Sequence, residues 1–147
     1  MARDVEIKGM KELERLIQLM GKVPQSVATK SAKAGATIAL KAARRSAPED
    51  KGDLKGGIIL KPERRVVVGK KVYDVMMDPT KNDVFVKTSK EGKRSYYPAS
   101  QEYGFMTANG GFVPGFHFLR NSITENSRAI EEKIVQVAGL TIDKVMK

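Results

Sequence analysis

Glu102 is the carboxylate whose neighbours most invite a chemical role, with Tyr97, Tyr103 and Gly104 around it in sequence. A lone acid so placed could act as a general acid or base. Accepting hydrogen bonds from a nearby turn is the commoner use of such a group. The single histidine, His117, stands between Phe116 and Phe118. One imidazole builds no zinc site without cysteine or acidic partners at suitable spacing, and the chain has no cysteine. The pairs Glu49-Asp50 and Glu131-Glu132 are sequence neighbours, so their side chains leave an element on different sides and form no acid/base dyad. The segment from Gly52 through Asp53, Leu54 and Lys55 to Gly56 and Gly57 is glycine-rich. It lacks the Gly-Lys-Ser/Thr ending of a phosphate loop, and no helix is expected after it. It reads instead as a turn feeding a strand. Met76, Met77 and Met106 read as core filling in preference to a soft interface. No nucleophile pairs with a base, so the residues point to no catalytic centre, no metal and no cofactor.

With 27 basic and 17 acidic residues the formal charge is +10. Excess positive charge raises a nucleic-acid reading. The basic residues are spread along the chain without an interleaved aromatic ladder, so a solvated, self-repelling surface is preferred and specific nucleic-acid binding is not expected. The 147 residues suit one domain, 1–147, and aromatic residues make up only 6% of them, so the core must be mostly aliphatic and small. Absence of cysteine fits a reducing cytoplasm. The first residues lack an apolar leader core and no apolar run reaches spanning length, so export and membrane insertion are not expected.

The elements that would position these residues read as follows. Val5 to Lys8 alternates as a short strand. Met10, Leu13, Leu16, Ile17 and Met20 fall at helical spacing, and Gly21 and Pro24 should end that helix. A second helix is expected from about Gln25 to Ser46, with Lys30, Lys33, Lys41, Arg44 and Arg45 on one face. Ala28, Ala32, Gly35, Ala36, Ala39, Ala42 and Ala43 occupy the other, which should lie tight against a neighbour. Asp50 to Gly57 reads as a loop. Ile58–Lys61, Val66–Val68, Val72–Met76 and Val84–Lys87 read as strands of an antiparallel meander. Tyr96 to Gly104 reads as a last strand or a turn-rich segment, and Gly104 to Gly115 as an exposed mobile loop. A closing helix should begin with a capping box at Ser122 and Glu125, with Ile123, Ile130, Ile134, Val137, Thr141 and Val145 on one side. The expected fold is α+β: an antiparallel sheet packed by a long helix from the N-terminal half and a C-terminal helix.

Five motifs follow one another in a fixed order along nearly the whole chain. They are Gly9 after the short strand; Ala43, Arg44, Ala47 and Pro48; Gly52, Asp53 and Leu54; Tyr97, Glu102 and Gly104; and His117-Phe118-Leu119-Arg120. This succession resembles the small tail-completion, or head-to-tail joining, proteins of long-tailed bacteriophages and prophages. Two positions depart from that pattern: His117 replaces the usual proline, and Phe105 stands where a small hydroxyl residue is usual. The resemblance implies a structural role without chemistry, completing the tail end and joining the tail to the head connector. It implies as partners a tail-tube or tail-terminator protein and a head-completion or connector protein. It also implies a ring of copies after assembly, formed from a monomer in solution, first in the host bacterial cytoplasm and then at the head–tail interface of the virion. On this resemblance Pro48, Gly52, Tyr97, Glu102, Gly104, Leu119 and Arg120 are structural motif positions. By glycine content and expected exposure, the Asp50–Gly57 and Gly104–Gly115 loops are the expected interfaces, with Asp53, Leu54, Phe105, Phe112 and Phe118 as contact residues. The other class of function left open is a basic nucleic-acid-binding module.

Overall fold

A helix of 37 residues, α1 (Met10–Ser46), dominates the computed structural model, which describes residues 10–65 and 67–147. At 1.5 Å per residue α1 is about 55 Å long. The break expected at Gly21 and Pro24 does not occur, and Pro24 lies inside the helix. Proline there removes one backbone N–H donor, but its fixed φ is itself helical. The turn is also clamped from outside: Gln25 Oε1 accepts from the Gly69 amide at 3.1 Å and Gln25 Nε2 donates to the Lys70 carbonyl at 3.3 Å. The expected strand at Val5–Lys8 lies outside the described residues.

After α1 come α2 (Asp53–Gly56), β1 (Ile58–Pro62), β2 (Tyr73–Met77), a 3-10 turn (Pro79–Lys81), α3 (Asn82–Phe85), β3 (Val86–Thr88) and β4 (Arg94–Tyr96). The chain closes with α4 (Tyr97–Tyr103), β5 (Gly104–Met106), β6 (Phe112–Pro114), α5 (Phe118–Thr124) and α6 (Ser127–Met146). The fold is α+β, with short antiparallel ladders packed against long helices. Among the described residues the strands form three separate hairpins, β1–β2, β3–β4 and β5–β6, where one continuous meander was expected. In β1–β2 the register runs from Ile58 opposite Met77 to Pro62 opposite Tyr73.

Several local expectations are corrected. Val67 forms an isolated bridge to Lys70 around a turn and belongs to no strand. Val84 and Phe85 are helical, because Asp78 caps the preceding turn, its Oδ1 accepting from the Thr80 amide at 3.0 Å and the Thr80 hydroxyl at 2.7 Å. Those two bonds hold the Asp78 carboxyl below the usual carboxylate range. Asp followed by Pro is a helix-start signal here, and a plain turn reading misses it. Pro98 near the start of α4 works the same way, so Tyr97–Tyr103 is a helix. Asp53–Gly56 is a single helical turn feeding β1. Ser122 starts no helix; it is buried inside α5 and its hydroxyl donates to the Leu119 carbonyl at 2.6 Å. Asn126 holds the N-cap position of α6, its side-chain amide donating back to the Ser122 carbonyl at 3.0 Å.

Packing of α6 on α1 supplies the main helix–helix contact. A Cβ at Gly35 would lie 2.7 Å from Ile134 Cγ1, so the backbones approach as closely as only glycine permits. Ala39, Ala42 and Ala43 are buried, as the alanine face requires. Ile130, Ile134 and Val137 are half-buried and Thr141 is buried on the facing stripe of α6. Ala39→Leu is therefore expected to overpack this seam and cost about 1–3 kcal/mol. A melting curve unchanged from wild type would show that the seam is looser than this.

Candidate functional site

Gly9 lies outside the described residues; the other motif residues gather into two clusters, and both are built from packing and backbone hydrogen bonds. In the first, the last turn of α1 puts Ala43 and Ala47 into a core with Leu54, Ile58, Met77, Phe85 and Phe118. Arg44, between those alanines, turns outward and donates from Nη2 and Nε to the Ile58 carbonyl at 2.8 and 3.2 Å. That fork ties the end of α1 to the start of β1. Pro48 is half-buried just beyond the helix end. Gly52 has φ +80°, a left-handed conformation that admits the tight entry into α2. Gly57 leaves room for the Phe85 ring, which a Cβ there would strike.

Leu54 is thus a core residue, only 3% exposed, and the expectation that it meets a partner is corrected. Its neighbour Asp53 is exposed. Asp53 and Tyr97 do come together, on a cleft of about 200 Å³ that Asp50, Lys51, Phe85 and Lys87 also line. Lys87 Nζ stands 5.6 Å from the centre of the Tyr97 ring. Two carboxylates and two ammonium groups make this cleft electrically balanced. Beneath it, Tyr96 meets Phe85 edge-on at 6.2 Å, and burial raises the Tyr96 phenol above its ordinary pKa.

The second cluster answers the question of Glu102. Its side chain is buried, and its two carboxylate oxygens accept from the backbone amides of Leu119, at 2.9 Å, and Arg120, at 3.0 Å. Those amides are first-turn donors of α5, which have no partner within the helix. The Glu102 carbonyl also accepts from the His117 amide at 3.1 Å, and the Gln101 carbonyl from the Phe116 amide at 2.7 Å. Two segments far apart in sequence, Tyr97–Gly104 and His117–Arg120, are thereby stitched along their backbones. The motif positions Glu102, Leu119 and Arg120 work as one capping unit. His117 has φ +51°, a left-handed residue at the helix entry.

Glu102→Ala is expected to cost about 2–4 kcal/mol, since it leaves two inward amides without the side-chain oxygens they face. Glu102→Gln keeps one carbonyl oxygen and turns an NH₂ toward the other amide, so about half that loss is expected. Chemical denaturation of the two variants checks the order, and equal stability of glutamine, alanine and wild type would dissolve the capping assignment.

From this base projects the β5–β6 hairpin. Gly104 has φ +88°, and Cβ atoms on Gly104 or Gly115 would strike backbone atoms of the opposing segment. The segment expected as a mobile loop is therefore an ordered arm. Its tip is closed by the Thr107 amide to the Gly111 carbonyl at 2.7 Å and the Gly110 amide to the Thr107 carbonyl at 3.0 Å. Phe105 pairs across with Val113, and Met106 with Phe112. Phe105 and Phe112 are exposed, as an interface role requires, and Tyr103, Met106 and Phe116 are exposed beside them. Phe118 is fully buried, so the expectation that it contacts a partner is corrected: it anchors α5 in the core. Sequence reasoning missed Tyr103 and Phe116 as parts of this unit, and placed Gly115 in it only as the end of a loop, without the backbone crossing it makes. The strict strand alternation that would have signalled them is confined to two three-residue strands.

Among the described residues, ion pairs are limited to Lys55–Glu49 at 2.9 Å and Arg128–Glu132 at 3.0 Å. The Lys55 hydrogen bond and charge hold the Glu49 carboxyl below its usual range. Both pairs are largely solvated and contribute little. Among the same residues, no helix is long and apolar enough to cross a membrane. No family model matches the chain, and neither a curated protein nor a solved structure matches it.

Proposed function

We propose that this chain is a structural virion assembly protein that completes the end of a phage tail and joins the tail to the head connector. One observation carries the reading: an ordered arm whose exposed aromatic residues have their base built from the motif residues Glu102, Gly104, Leu119 and Arg120. A chain that spends its most distinctive residues on presenting an apolar arm is suited to docking. The carboxylate best placed for chemistry is already engaged by two backbone amides. The partners proposed are a tail-tube or tail-terminator protein on one side and a head-completion or connector protein on the other. The protein waits as a monomer in the host cytoplasm and becomes part of a ring at the head–tail interface. Preformed arms lose little conformational entropy on docking, which favours such late assembly steps.

The test is a chain lacking Thr107 to Gly111. The core clusters lie outside the arm, so this variant is expected to melt within about 1 kcal/mol of wild type. It should fail to join separately purified heads and tails that lack the protein. Wild-type yields of joined particles with the deletion would refute the role of the arm.

A basic nucleic-acid-binding module is the second reading. It is favoured by Lys61, Arg64, Arg65 and Lys70, all exposed around the β1–β2 turn. A steep loss of duplex DNA affinity with added salt is what that reading requires.

A further inference from the structure

Two segments of the chain account for its whole net charge of +10. From Arg15 to Pro48 there are seven basic residues and no acidic one. From Lys61 to Lys71 there are five basic residues and one acidic. Together they hold twelve basic groups against one acidic, or +11, so the rest of the chain is slightly acidic. The first segment is most of α1, and the second is the turn end of the β1–β2 hairpin.

The fold lays one against the other. Arg44 donates to the Ile58 carbonyl at the start of β1, and Gln25 holds Gly69 and Lys70 at the turn. The hairpin is thereby fixed alongside α1 between two anchors that stand about 28 Å apart at helical rise. At 100° per residue, Lys22, Lys30, Lys33 and Lys41 fall within about 100° of arc on α1, with Arg44 inside that arc. All four lysines are exposed, as are Arg64, Arg65 and Lys70 on the hairpin. None of these groups forms an ion pair with another described residue.

Such a strip suits a rigid polyanion. Phosphates on one strand of a duplex follow each other about 3.4 Å apart along the axis, so the strip spans roughly eight of them. A single strand would call for exposed aromatic rings on which to stack its bases. Here α1 has no aromatic residue and the hairpin only Tyr73, half-buried with the Lys71 ammonium 5.8 Å from its ring centre. An acidic protein surface would be met by an apolar centre inside a polar rim. The exposed apolar residues of the hairpin, Val67 and Val68, lie instead at its turn, at one end of the strip.

We propose that α1 and the β1–β2 turn form one site for the phosphate backbone of duplex nucleic acid, bound without regard to sequence. Its contacts are Lys22, Lys30, Lys33, Arg64, Arg65 and Lys70. This inference rests on the second reading above, to which it gives a surface and a ligand class, and it is independent of the assembly reading.

The test titrates the full-length protein into short fluorescent DNA duplexes of unrelated sequence over a range of salt. Equal affinities are expected, with log K falling against log salt at a slope of about −5, the value for six phosphate contacts. Lys30→Gln, Lys33→Gln, Arg64→Gln and Arg65→Gln together should bring the slope to about −2 and lower affinity more than a hundredfold at about 0.1 M salt. The control removes the same charge from the β3–β4 hairpin, through Lys87→Gln, Lys90→Gln, Lys93→Gln and Arg94→Gln, and should keep most of the binding. Every replaced side chain is exposed, and circular dichroism confirms that both variants are folded. Equal losses in the two variants would overturn the site and leave a module that binds through its overall charge. Tighter binding of a single strand than of the duplex, or of polyglutamate than of either, would overturn the ligand assignment. No duplex binding at low salt would remove the site and the second reading together, with the assembly reading still standing.

Discussion

Phe118→Ala is expected to lower the stability of the chain by about 3–5 kcal/mol. The ring is fully buried and belongs to the cluster of Ala43, Ala47, Leu54, Ile58, Met77 and Phe85. Its loss leaves a void lined by elements that cannot close in. The end of α1 is fixed by the Arg44 fork to Ile58, and α5 by the Glu102 cap. Restricted relaxation places truncation toward the expensive end of the usual range. The core is also thin: Phe85 and Phe118 are among the few large side chains that are fully buried. Stability of a domain this size is on the order of 10 kcal/mol, so the variant should lose a sizeable part of it. Thermal and urea melts of Phe118→Ala beside Phe112→Ala give the comparison. A core residue must respond strongly and an exposed arm residue hardly at all. Equal, small losses for both would return Phe118 to the surface, where the sequence alone had put it.

That misplacement shows which features the sequence carries and which it does not. The helical period of Ala32, Ala36, Ala39 and Ala43 is long and regular, and it correctly identified the packed face of α1. Likewise Ile130, Ile134 and Thr141 identified the stripe of α6 that meets it. Phe118 and Leu54 sit in segments too short for any period to show. Their burial depends on contacts with residues tens of positions away. Exposure inferred from nearby glycines failed there, because Gly52 serves a left-handed turn and Gly57 a close approach to the Phe85 ring, both beside the core. The arm was read as a mobile loop for the same reason. Four glycines between Gly104 and Gly115 suggest freedom in an isolated chain, yet Gly104 and Gly115 are required by a crowded backbone crossing. The structural role of Glu102 was legible as a type of use. Its partners, Leu119 and Arg120, were not, because no local spacing links them.

The crossing itself yields the other large effect. Gly115→Ala is expected to destabilise the base of the arm by more than about 3 kcal/mol. The new methyl would overlap the Glu102 carbonyl carbon and oxygen and the Gly104 nitrogen. Backbone atoms cannot rotate away as a flexible side chain can, so the clash must be relieved by separating β5 from the segment after β6. Separation breaks the Gln101–Phe116 and Glu102–His117 bonds, and with them the alignment that brings Glu102 to the amides of α5. A single methyl group therefore acts on the arm and on the second motif cluster together. Gly139→Ala is the matched control, since nothing lies near that site within α6 and alanine there should add about 0.5–1 kcal/mol through helix propensity. Amide exchange reads the result at the level of the mechanism. In Gly115→Ala the Phe116, His117, Leu119 and Arg120 amides should lose protection together, while the α1–α6 seam retains it. Loss confined to Gly115 and its neighbours, with Leu119 and Arg120 still protected, would mean that the cap on α5 stands independently of the arm. In that case the motif residues would form two separate devices instead of one.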